Sequence, residues 1–284
     1  MKARLLGVLT LAALAALAEP VYAQAKPNPQ GVVFHNISFQ VPDYDANVDF
    51  FTKLGLIKQP SESTNRFSVF RCPNSDVSYT VQEDLKASGG SVGTVLDHIG
   101  FQVPDVPTAV AKWKGLGLRV EPGNAANSPV RAQQAYVYSP DNVKMEILQD
   151  PMMTTEIKPH HVHFFTSDPI ATQTFYAKVF GAVPGKRAIF DAADVPNMNL
   201  TFSKADGPVV STDGHPLHHI GFGVPNVEQA MKEMEAKGVV FDPALQPPPR
   251  PGPLHLAFFV DPWGTLVELF RTDPIPPAAA PGQQ

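Results

Sequence analysis

The chain has 284 residues, of which 43% are hydrophobic and 17% charged, with a formal net charge of −5. This mild acidity, without any run of lysine or arginine, gives no electrostatic basis for binding nucleic acid. Cys72 is the only cysteine, which excludes an internal disulfide and a cysteine-based zinc site, and we expect it to be a small core residue.

The first 25 residues have the features of a secretory signal. Lys2 and Arg4 precede an apolar run over 5–18, and Ala23-Gln24-Ala25 offers the small residues of a cleavage site. The run is too short to span a bilayer comfortably, and no later stretch is long enough. We therefore expect a signal peptide over 1–25, a secreted or periplasmic protein, and no membrane association after cleavage.

Four segments of the remaining chain share one pattern, in which a strand led by histidine is followed by a helix that ends at glycine. The intervals from histidine to glycine are 35 to 55, 98 to 117, 161 to 181 and 219 to 238, which is 19 or 20 residues each time. Glycine is favoured at the end of a helix because it accepts the left-handed conformation. The constant interval predicts four repeated modules.

Helix starts and linkers follow in chain order. Asp105 is the expected N-cap of the second helix, and Asp168 followed by Pro169 gives the third helix its start. Asn226, with Gln229 three residues later, begins the fourth helix. A link over 151–159 without strong periodicity separates two domains, and the Pro/Ala-rich tail over 273–284 is expected to be disordered.

The second and fourth modules end in matching hairpins, because residues 135–147 align with residues 257–269. Alternation in the last strand places Val267 and Leu269 on one face and Glu268 on the other. A carboxylate in that setting is costly to bury unless a positive group meets it. Glu146 holds the same position in the second module, so the two glutamates are candidates for one repeated role.

Histidine recurs together with these glutamates. His98 precedes Glu146 by 48 residues and His219 precedes Glu268 by 49, while the first module of each half adds His35 or His161. Two neutral imidazoles and one carboxylate form the facial arrangement that suits Fe(II) and, with small changes, Mn, Zn or Ni. The sequence therefore predicts a divalent metal, with Fe(II) favoured.

These motifs resemble the vicinal oxygen chelate superfamily of glyoxalases, extradiol dioxygenases, fosfomycin-resistance transferases and bleomycin-binding proteins. The resemblance covers about residues 31–272 and implies an α+β fold in which four βαβββ modules pair into two tandem domains, over 31–150 and 159–272. It places the metal ligands on the first and last strands of the modules. The implied ligand sets are His161, His219 and Glu268 in the C-terminal cup, and His35, His98 and Glu146 in the N-terminal cup.

Within that superfamily, two paired-module domains in one chain are typical of extradiol dioxygenases. Their signature, Tyr-x-x-Asp/Asn-Pro-x-Gly followed by Glu, is matched here over 261–268, but Phe258 stands at the tyrosine position. In the N-terminal copy, Tyr136 holds that position. His255 lies near the place of the usual catalytic histidine, although closer along the chain.

Four residues are candidates for catalysis: Glu268, His163, His255 and Tyr136. His163 shares a strand face with His161, so it is either an acid/base group or a substituted ligand, with a structural role as the alternative. Tyr79 occupies in the first module the place that Glu146 has in the second, and is a candidate fourth group. Phe165, Phe258 and Phe270 are expected to line a site for a planar ligand.

The favoured function is a non-haem Fe(II) dioxygenase that cleaves a catechol-like or other vicinal-dioxygen molecule. A glyoxalase-like lyase or isomerase is the second hypothesis, with Glu268 moving a proton. A secreted protein that sequesters an aromatic molecule without turnover is the third, and a complete His-His-Glu set disfavours it. The expected partner is a small, aromatic substrate, and a homo-oligomer remains open.

Overall fold

The computed structural model describes residues 26–61, 65–123, 133–248 and 252–273. The predicted signal peptide and all but the first residue of the predicted disordered tail lie outside these residues. Within them, no helix is both long and apolar enough to cross a bilayer. Cys72 is buried in the core, as predicted.

Fifteen strands and four α-helices are assigned in the described parts of the chain. The strands are β1 Val33–Val41, β2 Ile57–Lys58, β3 Phe67–Arg71, β4 Ser78–Glu83, β5 Leu96–Val103, β6 Arg119–Pro122, β7 Gln134–Tyr138, β8 Lys144–Gln149, β9 Lys158–Thr166, β10 Val183–Arg187, β11 Phe190–Val195, β12 Met198–Lys204, β13 Leu217–Val224, β14 Leu256–Val260 and β15 Leu266–Arg271. The helices are α1 Tyr44–Leu54, α2 Val106–Gly115, α3 Pro169–Phe180 and α4 Val227–Glu235.

The helix ends follow from local chemistry. Asp105, Asp168 and Asn226 each accept a hydrogen bond from the backbone N–H three residues later, so the predicted N-caps are confirmed. Asp43 caps α1 in the same way. Gly181 ends α3 with φ of 66°, a left-handed conformation that costs glycine little.

The strands form two sheets. The first has the order β14-β15-β13-β1-β4-β3-β2, and the second has the order β10-β11-β12-β9-β5-β8-β7-β6. At the centre of the first sheet β1 is antiparallel to β13, and at the centre of the second β5 is antiparallel to β9. The first module therefore shares a sheet with the fourth, and the second module shares a sheet with the third.

The predicted α+β class, with repeated βαβββ modules paired two by two, is confirmed. The fourth module differs in having two strands after its helix instead of three, with a short 3-10 helix, Pro243–Leu245, between α4 and β14. The expected choice of partner was wrong, because neither 31–150 nor 159–272 forms a sheet from its own two modules. The repeat could not reveal this, since all four modules begin with the same kind of strand and any two could pair.

The two modules within each half of the chain instead contact each other through helices and side chains. The indole Nε1 of Trp113 in α2 donates to the carbonyl of Leu54 in α1 at 3.2 Å. In the other half, Tyr176 in α3 donates its hydroxyl to Asp261 at 2.9 Å, and the rings of Phe180 and Phe222 stack at 3.9 Å. One apolar core thus runs through all four modules.

Candidate metal centre

The central strands of the second sheet bring four polar side chains together. In the β5–β9 pair, Gly100 lies opposite His161 and His98 lies opposite His163. The parallel strand β8 places Glu146 beside Gly100. Because residues two apart on a strand share a face, His98, Glu146, His161 and His163 meet there, and we call them the His98 cluster.

The His98 cluster is almost completely buried. The exposed fractions are 4% for His98, 6% for Glu146, 0% for His161 and 3% for His163. His161 Nε2 lies 3.0 Å and His98 Nε2 lies 3.7 Å from Glu146 Oε2. Yet neither His161 Nε2 nor Glu146 Oε2 has a hydrogen-bond partner with acceptable geometry, although a buried polar atom is costly when unpaired.

In this cluster a charged carboxylate lies beside a neutral imidazole. Burial lowers the pKa of His161 to about 3, so its imidazole is neutral at pH 7. Burial acts to raise the pKa of Glu146, but His161 and His98 together hold it well below its ordinary value. The set therefore combines a carboxylate with the neutral imidazole of His161, and the nearest ring nitrogens of His98, His161 and His163 lie within 4.8 Å of one another, which fits a divalent metal ion.

Gly100 makes room for His161. A Cβ atom on residue 100 would lie 2.0 Å from the Cε1 and Nδ1 atoms of the His161 ring. No side chain can stand at that distance, so a glycine opposite the histidine is a steric requirement of the cluster.

Hydrogen bonds fix the tautomers of two of the imidazoles. His98 Nδ1 lies 2.7 Å from Asp97 Oδ1, which also receives Lys144 Nζ at 3.2 Å. The carboxylate accepts the Nδ1 proton, so in the neutral form of His98 the Nε2 atom presents a lone pair. His163 Nδ1, 3.1 Å away, must then donate to that atom, and His163 Nε2 accepts from Ser203 at 2.8 Å.

Arg187 is a member of the site that sequence reasoning missed. Its Nη2 atom lies 3.8 Å from Glu146 Oε2, and its Nε atom donates to Thr201 Oγ1 at 2.7 Å. It ends β10, a short strand whose sequence has no alternation that would mark an inward side chain. Phe190 lies under its guanidinium, 5.7 Å from the ring centre.

Tyr136 and Phe165 also border the His98 cluster. Tyr136 lies directly opposite Glu146 in the β7–β8 pair, and Gln134 Nε2 donates to both side chains. Burial and the charge of Glu146 hold the pKa of Tyr136 above its ordinary value, so its phenol stays protonated. Phe165 lies 5.0 Å from His163 between ring centres.

The corresponding position of the first sheet holds a different set. Asn36 lies opposite Gly221 and Ser38 lies opposite His219. His219 Nε2 lies 3.6 Å from Glu268 Oε2, but Asn36 Nδ2 donates to that same oxygen at 2.8 Å. We call Asn36, His219 and Glu268 the His219 cluster, and the carboxylate oxygen that faces its histidine already has a hydrogen-bond donor, unlike Glu146 Oε2.

His35 is not the structural equivalent of His161. The register of the two central pairs makes Asn36 the counterpart, and the ring of His35 stacks on Phe270 at 4.1 Å instead. A sequence signal for this existed in the distance to the helix N-cap. That distance is seven residues from Asn36 to Asp43, His98 to Asp105, His161 to Asp168 and His219 to Asn226.

The structure thus corrects the predicted grouping of ligands. His161 joins His98 and Glu146, whereas His219 and Glu268 join Asn36, with His35 at the edge. The sets His161/His219/Glu268 and His35/His98/Glu146 were wrong because they assumed that modules pair within each half. Phe165 borders the His98 cluster, whereas the ring of Phe258 lies 5.5 Å from His219.

Two further candidates lie away from the predicted positions. His255 is exposed, and its carbonyl accepts a hydrogen bond from the backbone N–H of Arg271. It precedes Phe258, the residue opposite Glu268, by three positions. Tyr79 is buried in the core with its ring 5.3 Å from Phe101, so Thr80 takes the register position expected for Tyr79. Neither His255 nor Tyr79 has a contact with the two clusters among the described residues.

Comparison with known proteins agrees with this architecture. The profile of the Glyoxalase/Bleomycin resistance protein/Dioxygenase superfamily matches residues 158–269. A point mutant of glyoxalase I from Zea mays is 19% identical, covers 84% of this chain and 92% of its own, and superposes with a TM-score of 0.64. A Bacillus subtilis protein, provisionally described as a dioxygenase, is 14% identical, with 88% and 86% coverage and a TM-score of 0.62.

No curated protein matches the sequence. The solved structures are too distant in sequence to transfer an activity, but they share the fold over most of both chains. Residues 158–269 thus match the glyoxalase/bleomycin resistance protein/dioxygenase superfamily, and the chain as a whole has the fold of glyoxalase I.

Proposed function

We propose that the His98 cluster holds a divalent metal through His98, His161 and Glu146. The observation that carries this proposal is the pair of buried atoms, Glu146 Oε2 and His161 Nε2, that face each other without a hydrogen bond. Two neutral imidazoles and a carboxylate favour Fe(II), while Mn, Zn or Ni fit the same donors. In the His219 cluster, the amide of Asn36 stands in place of an imidazole and donates a hydrogen bond to Glu268 Oε2, so we assign no metal there.

The favoured activity is dioxygenase cleavage of a catechol-like or other vicinal-dioxygen molecule. A metal in this set would bind two adjacent substrate oxygens and, as Fe(II), supply redox chemistry. His163 carries a proton on Nδ1 that loses its acceptor when His98 Nε2 becomes a ligand, so His163 can donate to a substrate oxygen. Tyr136 adds a protonated phenol, and Phe165 and Phe190 flank the site with apolar rings.

A glyoxalase-like lyase or isomerase is the second candidate. The observation in its favour is the shared fold with glyoxalase I from Zea mays over most of both chains. In that reaction Glu146, rather than the predicted Glu268, would be the carboxylate beside the reacting carbon. Sequestration without turnover is disfavoured, because binding alone gives no reason to bury a carboxylate among neutral imidazoles.

Oxygen uptake distinguishes these activities. Protein loaded with Fe(II) under anaerobic conditions is mixed with a panel of catechols, and uptake should be lost on chelation and restored by Fe(II) but not by Zn(II). The His161→Ala variant, treated identically, is the control for uptake by free iron. Turnover of a hemithioacetal without oxygen uptake from any catechol would reject the dioxygenase in favour of the isomerase.

We also propose export to the periplasm or the cell exterior, on the basis of the signal-like residues 1–25. N-terminal sequencing of the protein from the exported fraction should find a start directly after residue 25. Full-length protein confined to the cytoplasm would contradict this proposal.

A further inference from the structure

Arg187 places a half-buried positive charge beside the proposed metal ligands. Its side chain is 18% exposed, and Glu146, 3.8 Å away, is the one carboxylate within ion-pair distance of it among the described residues. Burial lowers the pKa of Arg187, but a guanidinium remains charged at neutral pH. The cation therefore lies inside the site rather than on its surface.

The charges of the site do not balance once a divalent ion is present. Glu146 contributes one negative charge, which would then be shared between the ion and Arg187. Asp97 does not help, because it already pairs with Lys144 at 3.2 Å. Imidazole ligands add no negative charge, so the loaded site has an excess of positive charge. A buried excess charge is costly unless an opposite charge meets it.

The guanidinium also has free donors. Its Nε–H donates to Thr201, which fixes the orientation of the planar group, while 3.8 Å to Glu146 exceeds hydrogen-bond length. Among the described residues the N–H groups of the two terminal nitrogens have no hydrogen-bond acceptor, and such a fork matches a carboxylate in a bidentate manner. Phe190 beneath the guanidinium supports the same orientation.

We propose that Arg187 binds a carboxylate of the substrate, so that this site takes small organic acids that also carry two adjacent oxygens. This inference rests on the proposed metal site and narrows its substrate class. Arg187 supplies the charge and the planar donors, and Thr201 is a positioning residue that holds the guanidinium.

Binding of matched probes tests the inference without turnover. Catechol, 2,3-dihydroxybenzoate and 3,4-dihydroxybenzoate share one chelating diol, and only the acids carry a carboxylate. Their dissociation constants are measured by anaerobic calorimetry on metal-loaded protein. At least one acid should bind about tenfold more tightly than catechol, since charge-assisted hydrogen bonds to arginine are strong.

Variants identify the residue responsible. We define the margin as the ratio of the dissociation constant of catechol to that of the acid. In Arg187→Met this margin should fall below about threefold. Arg187→Lys should keep only part of the wild-type margin, because lysine lacks the planar fork. Arg66→Met is the matched control, since Arg66 forms exposed ion pairs with Asp45 and Glu83 in the other sheet. It should retain the wild-type margin.

The metal content of the same samples separates the two possible failures. If wild-type protein retains metal but shows no margin, or if Arg187→Met keeps the full margin, then Arg187 does not bind the carboxylate. If wild-type protein retains no metal, the proposed metal site is rejected, and with it the excess charge from which this inference follows.

Discussion

Gly100 and His161 face each other across the β5–β9 pair, and the His161 ring fills the space that a side chain on residue 100 would need. The same relationship recurs in the first sheet, where a Cβ atom on Gly221 would lie 1.8 Å from Asn36 Oδ1. In each sheet, a glycine of one module thus admits the polar side chain of its partner. The clusters are built by this pairing, since no single module contains a complete set.

Replacing Gly100 by alanine should displace His161 and weaken the site. The added methyl group cannot be accommodated at 2.0 Å from the ring, and overpacking of this kind costs about 1–3 kcal/mol of unfolding free energy. The Gly115→Ala variant is the control, because nothing lies within 4 Å of that position in α2 and alanine favours helix by about 0.5–1 kcal/mol. Chemical denaturation and metal analysis should find loss in the first variant and none in the second.

The two clusters should differ in metal content. Wild-type protein purified without chelator should contain about one ion per chain, which His161→Ala should lose and His219→Ala should keep. The reason is that Asn36 already donates a hydrogen bond to Glu268 Oε2, whereas Glu146 Oε2 accepts none. Elemental mass spectrometry measures both variants. Loss of the ion in His219→Ala with retention in His161→Ala would assign the metal to the other sheet.

Asp97 should increase the metal affinity of the site although it is not itself a ligand. Its carboxylate holds the Nδ1 proton of His98 at 2.7 Å, and removal of such a partner typically lowers metal affinity about 10- to 100-fold. We expect this loss in Asp97→Asn, measured by competition with a chelating dye. Asp105→Asn makes the same chemical change at an exposed N-cap that asparagine also suits, and its affinity should equal that of wild type. Equal affinities in all three proteins would exclude the orienting role.

A second metal site should be obtained by a single substitution. Asn36→His places an imidazole at the register position that His161 has in the other sheet, opposite Gly221, and removes the amide donor from Glu268. Metal content should rise from about one to about two ions per chain. Asn36→Ala removes the same amide without adding a ligand and should stay at about one. A folded Asn36→His protein with unchanged metal content would contradict the proposed equivalence.

Asp261 should give the protein a pH dependence of stability that is independent of the metal. Burial raises its pKa, against hydrogen bonds from Thr265, Tyr176 and Trp263. Since the folded pKa exceeds the unfolded value, Asp261 contributes stability that is full below the unfolded pKa of about 3.9 and is lost as pH rises through the folded pKa, by about 1.4 kcal/mol per pH unit.

The Asp261→Asn variant cannot titrate at this position, although it loses an acceptor for Tyr176. Its deficit in unfolding free energy relative to wild type should therefore be larger at pH 4 than at pH 7. Urea denaturation at both values measures the deficit, and a deficit that grows with pH would show that the pKa of Asp261 is not raised.

The sequence by itself determined the modules and the residue types of the site. Periodic glycines, the N-caps Asp105, Asp168 and Asn226, and the matching hairpins are local features, and each depends on residues only a few positions apart. The histidines and glutamates could be assigned to strand faces by alternation alone. The seven-residue distance to the helix N-cap also identifies Asn36 as the equivalent of His98, His161 and His219, because the segment from the first strand to the helix has the same length in all four modules.

Only the tertiary structure decided which modules share a sheet, and therefore which ligands meet. The first strands of all four modules are alike, so their hydrogen bonds do not distinguish one partner from another. The choice depends on packing between distant residues across the paired strands, such as His161 against Gly100 and Asn36 against Gly221. For the same reason Arg187 could not be found from sequence, because its proximity to Glu146 results from the pairing of β5 with β9 and from no local pattern.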